Sequence, residues 1–196
     1  MSCPPDQRVQ GCWEHMIQIS KHSLREQMQL KRRNLSMIDV NVLSKLIDKQ
    51  LKTESLFNNC KNLGAYMAFD NEPSLSIPKN KRILLPKIHN EKLTFHLNEN
   101  KFKKNKFGIK EPVNDDIFLI NDIHLILIPL IAFNIDLYRI GYGGGYYDKT
   151  LEHISRTSAG PKLWGIGYDF QMVDINFQNK FDIRLDKVIT EKNIYV

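Results

Sequence analysis

Eleven residues, RIGYGGGYYDK at Arg139–Lys149, hold four of the chain's ten glycines, three of its seven tyrosines and one aspartate. Gly143, Gly144 and Gly145 lack a Cβ, so their backbone can take positive φ and approach a ligand closely. Successive N–H groups in such a turn form a concave anion site, and a helix starting next to it adds the positive end of its dipole. The segment YYDKTLEHI can be that helix. Arg139 and Lys149 flank the turn, the first able to grip phosphate oxygens with a fork, the second as a point charge. Asp148 is anionic and ill-suited to touch phosphate itself. It suits a magnesium ion that bridges phosphates, since magnesium takes one or two carboxylates together with phosphate oxygens. The plainer alternative is a tight surface turn with Asp148 as a cap. Three consecutive glycines cost backbone entropy that such a turn does not require, and this favours phosphate. The two common nucleotide fingerprints do not apply: a dinucleotide loop needs glycine where Tyr146 stands, and a P-loop needs glycine in place of Asp148.

A loop of this kind belongs beyond the carboxyl end of a buried strand, where open α/β sheets bind ligands. IHLILIPLIAF (123–133) supplies that strand, with Leu125, Ile126, Leu127 and Ile128 apolar on both faces. Further strands are expected at LGAYMAF (63–69), at KRILLPKI (81–88) closed by Pro86, and at KLTFHLN (92–98). Two more are expected at KLWGIGYDF (162–170) and KVIT (187–190). Helical periodicity begins at Ile19, with Leu24, Met28, Leu30 and Leu35 on its apolar side. A second helix follows Ser36 as N-cap and presents Val40, Val42, Leu43, Leu46, Ile47 and Leu51. Helices around strands that are apolar on both faces predict a single α/β domain with a mostly parallel central sheet flanked by helices.

Residues 1–18 read as a flexible extension, and 19–196 as the domain. The chain has 196 residues, 42% hydrophobic and 26% charged. No apolar run approaches the roughly 20 residues that span a bilayer, and the first residues lack a signal-peptide core. Three unclustered cysteines (Cys3, Cys12, Cys60) predict a reduced, cytoplasmic chain. The net charge of +6 suggests an anionic partner without naming it. Its basic clusters, KRR (31–33), KNKR (79–82) and KFKKNK (101–106), read as solvated faces, and no nucleic-acid motif accompanies them.

The glycine loop resembles the signature of the 5-formyltetrahydrofolate cyclo-ligase family, and other segments resemble that family in the same order. KHSLR (21–25) is similar to its N-terminal Lys-x-x-Leu-Arg, and YMAFDNE (66–72) to its strand-then-glutamate segment. RILLP (82–86), FGIKEP (107–112), LILIPLIAF, GIGYDFQMVD (165–174) and FDIRLDKVITE (181–191) follow. The resemblance implies a three-layer fold of the NagB/RpiA/CoA-transferase type. It also implies a monomer that uses ATP and Mg2+ to turn 5-formyltetrahydrofolate, which can carry a polyglutamate tail, into 5,10-methenyltetrahydrofolate. By the same resemblance Lys21, Arg25, Arg139 and Gly141, Tyr142, Gly143, Gly144, Gly145, Tyr146, Tyr147 and Asp148 would contact ATP. Met67, Glu72, Phe107 and the Tyr142–Tyr146 stretch would bind the folate. Asp148 and Asp182 would hold magnesium, and Arg139, Tyr146 and Lys149 would act in catalysis.

The chain departs from the family pattern at three places: Asn134 where Asp is common, Leu137 where Gly is usual, and Phe181 where many members have His. All three bear on the supports of the loop. Two other readings therefore stand beside the enzyme: a non-catalytic folate or nucleotide binder of the same fold, and, from charge alone, a nucleic-acid-binding protein.

Overall fold

The computed structural model describes residues 20–153 and 160–196; the expected extension at 1–18 lies outside them. In chain order the elements are α1 (Lys21–Arg33), α2 (Met37–Thr53), α3 (Ser55–Asn59), β1 (Asn62–Gly64), β2 (Arg82–His89) and β3 (Lys92–Leu97). A hairpin of β4 (Phe102–Lys104) and β5 (Lys110–Pro112) follows, then β6 (Leu125–Pro129), β7 (Ala132–Phe133) and β8 (Arg139–Ile140). The last elements are α4 (Tyr146–Leu151), β9 (Lys162–Ile166), β10 (Lys187–Ile189) and β11 (Ile194–Tyr195).

Seven strands form the main sheet in the order β11-β10-β9-β6-β1-β2-β3. The inner pairings are parallel, and the two edges, β3 and β11, are antiparallel. Alternate side chains of β6 enter opposite cores, as a doubly covered strand requires. Leu125 and Leu127 pack with Ile47, Leu51 and Phe57 of α2 and α3. Ile126 and Ile128 pack with Leu151 of α4 and with Leu185 and Val188. These four β6 side chains are fully buried, each worth about 1.5–3 kcal/mol relative to exposure.

Helix α1 starts at Ser20, whose hydroxyl accepts from Ser23 N at 3.1 Å, and α2 starts in a capping box between Ser36 and Asp39. The buried face of α1 is Leu24, Met28 and Arg32, spaced four apart, while Leu30 is exposed. On α2 the inward set is Val40, Ser44, Ile47, Asp48 and Leu51, so the expected Val42 and Leu46 face solvent instead. Ser44 and Asp48 are inside because they accept hydrogen bonds from Ser74 N and Ser76 N.

Pro86 does not close β2. The strand continues to His89, with Pro86 opposite Phe95 in the antiparallel ladder. Leu84 accepts from Ala65 N on the β1 side, so the missing N–H of Pro86, two residues on, points to the same side. There β1 has already ended at Gly64 and no partner is deprived. The expected strand at 63–69 is likewise short: only Asn62–Gly64 pair, and the following residues leave the sheet.

The chain adds β2 on one side of β1 and later returns to add β6 on the other. This reversal makes the carboxyl ends of β1 and β6 the topological switch point, where a ligand crevice is expected. Among the described residues no helix is long and apolar enough to cross a membrane.

Candidate functional site

A cavity of about 680 Å³ opens at that switch point. Its walls come from the segment after β1 (Tyr66, Met67, Phe69, Glu72), the glycine loop, α1, the β4–β5 hairpin and Asp182. Nearly every residue proposed from sequence lines it: Lys21, Arg25, Met67, Glu72, Phe107, Arg139, the run Gly141–Asp148, and Asp182. Lys149 is the exception. It does not line the cavity: its Cε stands 3.9 Å from where a Gly145 Cβ would be, and its Nζ bonds the exposed Glu91 at 2.9 Å.

The glycine loop follows β8, which pairs with β7 just beyond β6. Gln171, fully buried, fixes that exit by donating from Nε2 to Leu130 O at 3.0 Å and Ile131 O at 2.7 Å. The three consecutive glycines have separate reasons. Gly143 and Gly145 stand at φ +103° and +65°, where side chains are strained. At Gly144 a Cβ would lie 2.4 Å from the Tyr146 ring. Helix α4 begins directly after Gly145 but runs only six residues, too short to add a long dipole at the loop. Arg25 buttresses the loop from α1, its Nε donating to Gly141 O at 2.7 Å.

Two of the three departures from the family pattern support the loop by other means. Leu137 holds φ +66°, the conformation a glycine would take without strain. Its side chain is buried in the core under α4, and that packing offsets the backbone cost. Asn134 is buried and uses both ends of its amide: Oδ1 accepts from Tyr138 N at 3.0 Å, and Nδ2 donates to Gln178 Oε1 at 2.9 Å. An aspartate could not make the second bond. Phe181 is exposed, beside Lys180.

Two carboxylates meet at one side of the cavity. Asp148 Oδ1 lies 3.2 Å from Arg139 NH2 and accepts from Ile183 N at 3.2 Å, which sets it next to Asp182. Asp182 Oδ2 pairs with Lys21 Nζ and accepts from Asn179 N at 2.6 Å. Each carboxylate thus has its second oxygen without a hydrogen bond among the described residues. No group of three or more His, Cys, Asp or Glu side chains gathers as a metal site among the described residues. Two carboxylates are too few to cage a magnesium ion alone but suit one that arrives with phosphate oxygens. Arg139 is buried, with NH1 unpartnered and its guanidinium 5.7 Å from the Tyr147 ring. That NH1 is a buried donor at the cavity wall without a protein partner.

The other side is less polar. Met67, Phe69, Ile88, Leu93 and Ile109 line it with Phe107, half-exposed on the turn between β4 and β5 and edge-on to Tyr146 at 6.5 Å. That hairpin is pinned by Glu111, whose Oε1 accepts from Ile88 N at 3.1 Å and Asn105 Nδ2 at 2.8 Å. Glu72, 4% exposed, lies deep in this part and, unlike the buried Glu111, is not spent on holding the hairpin. Burial pushes its carboxyl up to about 7, against the opposing pull of Arg32 and of the Phe69 N–H. Burial also raises the Tyr66, Tyr142 and Tyr147 hydroxyls well above their ordinary value, so they stay neutral donors. Asp70 is pushed up by burial, but bonds from Arg33 and Arg32 outweigh this and leave it below the usual carboxylate range.

Sequence reasoning passed over Arg32, read there as part of a solvated KRR cluster. Its position four and eight residues after Met28 and Leu24 was the available signal, since that spacing puts it on the buried face. Lys81 of the second cluster is buried too, bonding Asn58 O and Cys60 O at 2.9 Å. The 101–106 cluster is largely solvated.

The family model described as 5-formyltetrahydrofolate cyclo-ligase family matches residues 17–191. A Mycoplasma pneumoniae 5-formyltetrahydrofolate cyclo-ligase is 32% identical, over 89% of this chain and 100% of its own length. One from Haemophilus influenzae is 26% identical, over 86% and 96%. The NMR structure of Aquifex aeolicus 5,10-methenyltetrahydrofolate synthetase superposes with a TM-score of 0.77 at 30% identity, covering 89% of this chain and 91% of that one.

Proposed function

The chain belongs to the 5-formyltetrahydrofolate cyclo-ligase family, and on that premise we propose that it converts 5-formyltetrahydrofolate and ATP to 5,10-methenyltetrahydrofolate, ADP and phosphate. The observation that carries this reading is the joining, in one cavity, of a glycine-loop anion site with paired carboxylates and an apolar chamber ending in Glu72. The two halves suit a nucleotide triphosphate and a pterin ring, side by side.

In this reading the formyl oxygen attacks the γ-phosphorus and ADP leaves. The neighbouring folate nitrogen then attacks the activated carbon, the C–O bond breaks, and phosphate departs with that oxygen while the nitrogen loses its proton. The residues supply positioning and charge rather than a nucleophile. Loop amides, Arg25 and Arg139 hold phosphate oxygens, with Arg139 NH1 free to donate; Lys21 serves from the α1 side. Asp148 and Asp182 hold the magnesium ion, whose chemistry is to neutralise charge on the phosphates. Glu72 accepts two hydrogen bonds from the aminopyrimidinone edge, Met67 lines the same chamber, and Phe107 with Tyr146 covers the ring system. Lys149, paired with the exposed Glu91 beside the loop, is assigned no step here. Lys110 lines the cavity and Lys103, Lys104 and Lys106 stand near it, which suits the acidic tail of a polyglutamylated folate.

Asp148→Asn tests the assignment. Turnover should fall at least about 100-fold, as when one preorganised charge is lost at a transition state, while 5-formyltetrahydrofolate still binds. Full activity in this variant would remove Asp148 from the mechanism. Folate binding by the unaltered chain with no turnover to lose would favour a non-catalytic binder.

A further inference from the structure

Arg32 is fully buried yet belongs to none of the cavity walls. Its guanidinium reaches all the segments that meet behind the folate chamber. NH1 donates to Leu130 O at 3.4 Å, just past β6, and lies 3.8 Å from Glu72 Oε1. NH2 donates to Asp70 Oδ2 at 3.2 Å and to the hydroxyl of Tyr142, in the glycine loop. Its carbon stands 5.5 Å from the Tyr142 ring, and Nε has no partner. Burying an arginine this deeply is costly unless charges face it. Two carboxylates do, and one is the acid assigned to the pterin.

We propose that Arg32 is a positioning residue: it keeps Glu72 in its charged, folate-accepting form and ties that acid to Tyr142, so that the folate chamber and the nucleotide loop are set by one side chain. The inference rests on the reading of Glu72 as the folate acid. The groups that face Glu72 are few. Arg32 comes from α1, Asp70 from its own segment, and Tyr66, Tyr142, Tyr147 and Tyr168 from the surrounding elements. Asp70 and any ionised tyrosine oppose its charge, so Arg32 is the one cation among these groups that favours it. Arg33 leans outward onto Asp70 at 2.8 Å.

The sign is definite. A charged Glu72 is needed to accept from the pterin, so affinity should rise with pH through the pKa of that acid. Removing Arg32 removes the stabilising cation, and the midpoint must move to higher pH.

The experiment is 5-formyltetrahydrofolate binding without ATP, from pH 6 to 9, for the unaltered chain, Arg32→Met, Arg32→Lys, Glu72→Gln and the Arg32→Met/Glu72→Gln double variant. Expected are a midpoint in Arg32→Met at least about one pH unit above that of the unaltered chain, equivalent to a weakening of about fivefold at neutral pH that approaches about tenfold at lower pH, and a partial return toward the original midpoint in Arg32→Lys. In the Glu72→Gln background, where the buried acid no longer needs a cation, the Arg32 change should leave the pH profile flat. The double variant also keeps the test readable if Arg32→Met alone does not fold. An unmoved midpoint in Arg32→Met, with binding weakened and independent of pH in Glu72→Gln, overturns the role of Arg32 and leaves Glu72 as the folate acid. Full binding by Glu72→Gln at every pH overturns the assignment of Glu72 itself.

Discussion

Glu72 holds its charge against burial, and that conflict has a thermodynamic signature. An acid whose folded pKa lies near 7 rather than 4.5 makes the folded state bind the proton more tightly than the unfolded state does. Such a group does not oppose folding below about 4.5, and it withdraws stability as pH rises from there to about 7. The withdrawal amounts to at most about 3 kcal/mol. Glu72→Gln should therefore gain stability relative to the unaltered chain across that window, with the difference constant above it. Chemical denaturation at several pH values would read this, and a difference that shrinks as pH rises would contradict it. The residue types of the site were readable from the chain because glycine, aspartate and arginine in a tight motif admit few uses. Asp182 and Glu72 were not readable from spacing. Lone acids far apart in sequence are brought together only by β-strand order, and they were named through family resemblance. Lys149, placed at the phosphates by proximity in sequence, pairs instead with the exposed Glu91 beside the loop.

At the scale of elements, the glycine loop is a shape held by unequal contributions. A Cβ at Gly141 would meet nothing within 4 Å, but at Gly144 it would strike the Tyr146 ring at 2.4 Å. Gly141→Ala should leave thermal stability within about 0.5 kcal/mol. Gly144→Ala should displace Tyr146 from the folate side and raise the KM for folate well before the fold is lost. Equal effects in the two variants would mean that the loop is not held in this form. The strands could be located from hydrophobic runs, because β6 and β9 are apolar on both faces. Their ends were less readable, because pairing stops where a neighbour stops. β2 runs through Pro86 for that reason, and the residues from Ala65 to Phe69 leave the sheet to line the cavity. The small β4–β5 hairpin escaped notice because its lysine-rich strands carry no apolar alternation. It is fixed instead by Glu111 reaching Ile88 N.

The whole molecule is an α/β sheet whose order reverses at β1, so that two carboxyl ends part and leave room for a ligand beside the loop. α1 closes that opening and carries Lys21 and Arg25 one turn apart toward the cavity and Arg32 two turns further on, behind it. The positive net charge has a local meaning here. Part of it lies on the cavity side of α1 and on the hairpin near Lys110, and part is sequestered inside at Arg32, Lys81 and Arg139. A sequence cannot separate these, since burial of a charged side chain depends on partners contributed by distant segments. The central claim, that nucleotide and folate react in one cavity, is tested most directly by mixing the purified chain with 5-formyltetrahydrofolate and MgATP and following the absorbance of 5,10-methenyltetrahydrofolate. The account predicts product formed only when ATP is present, with one phosphate released for each folate converted. Saturable folate binding by folded protein, with no product at any ATP concentration, would contradict it.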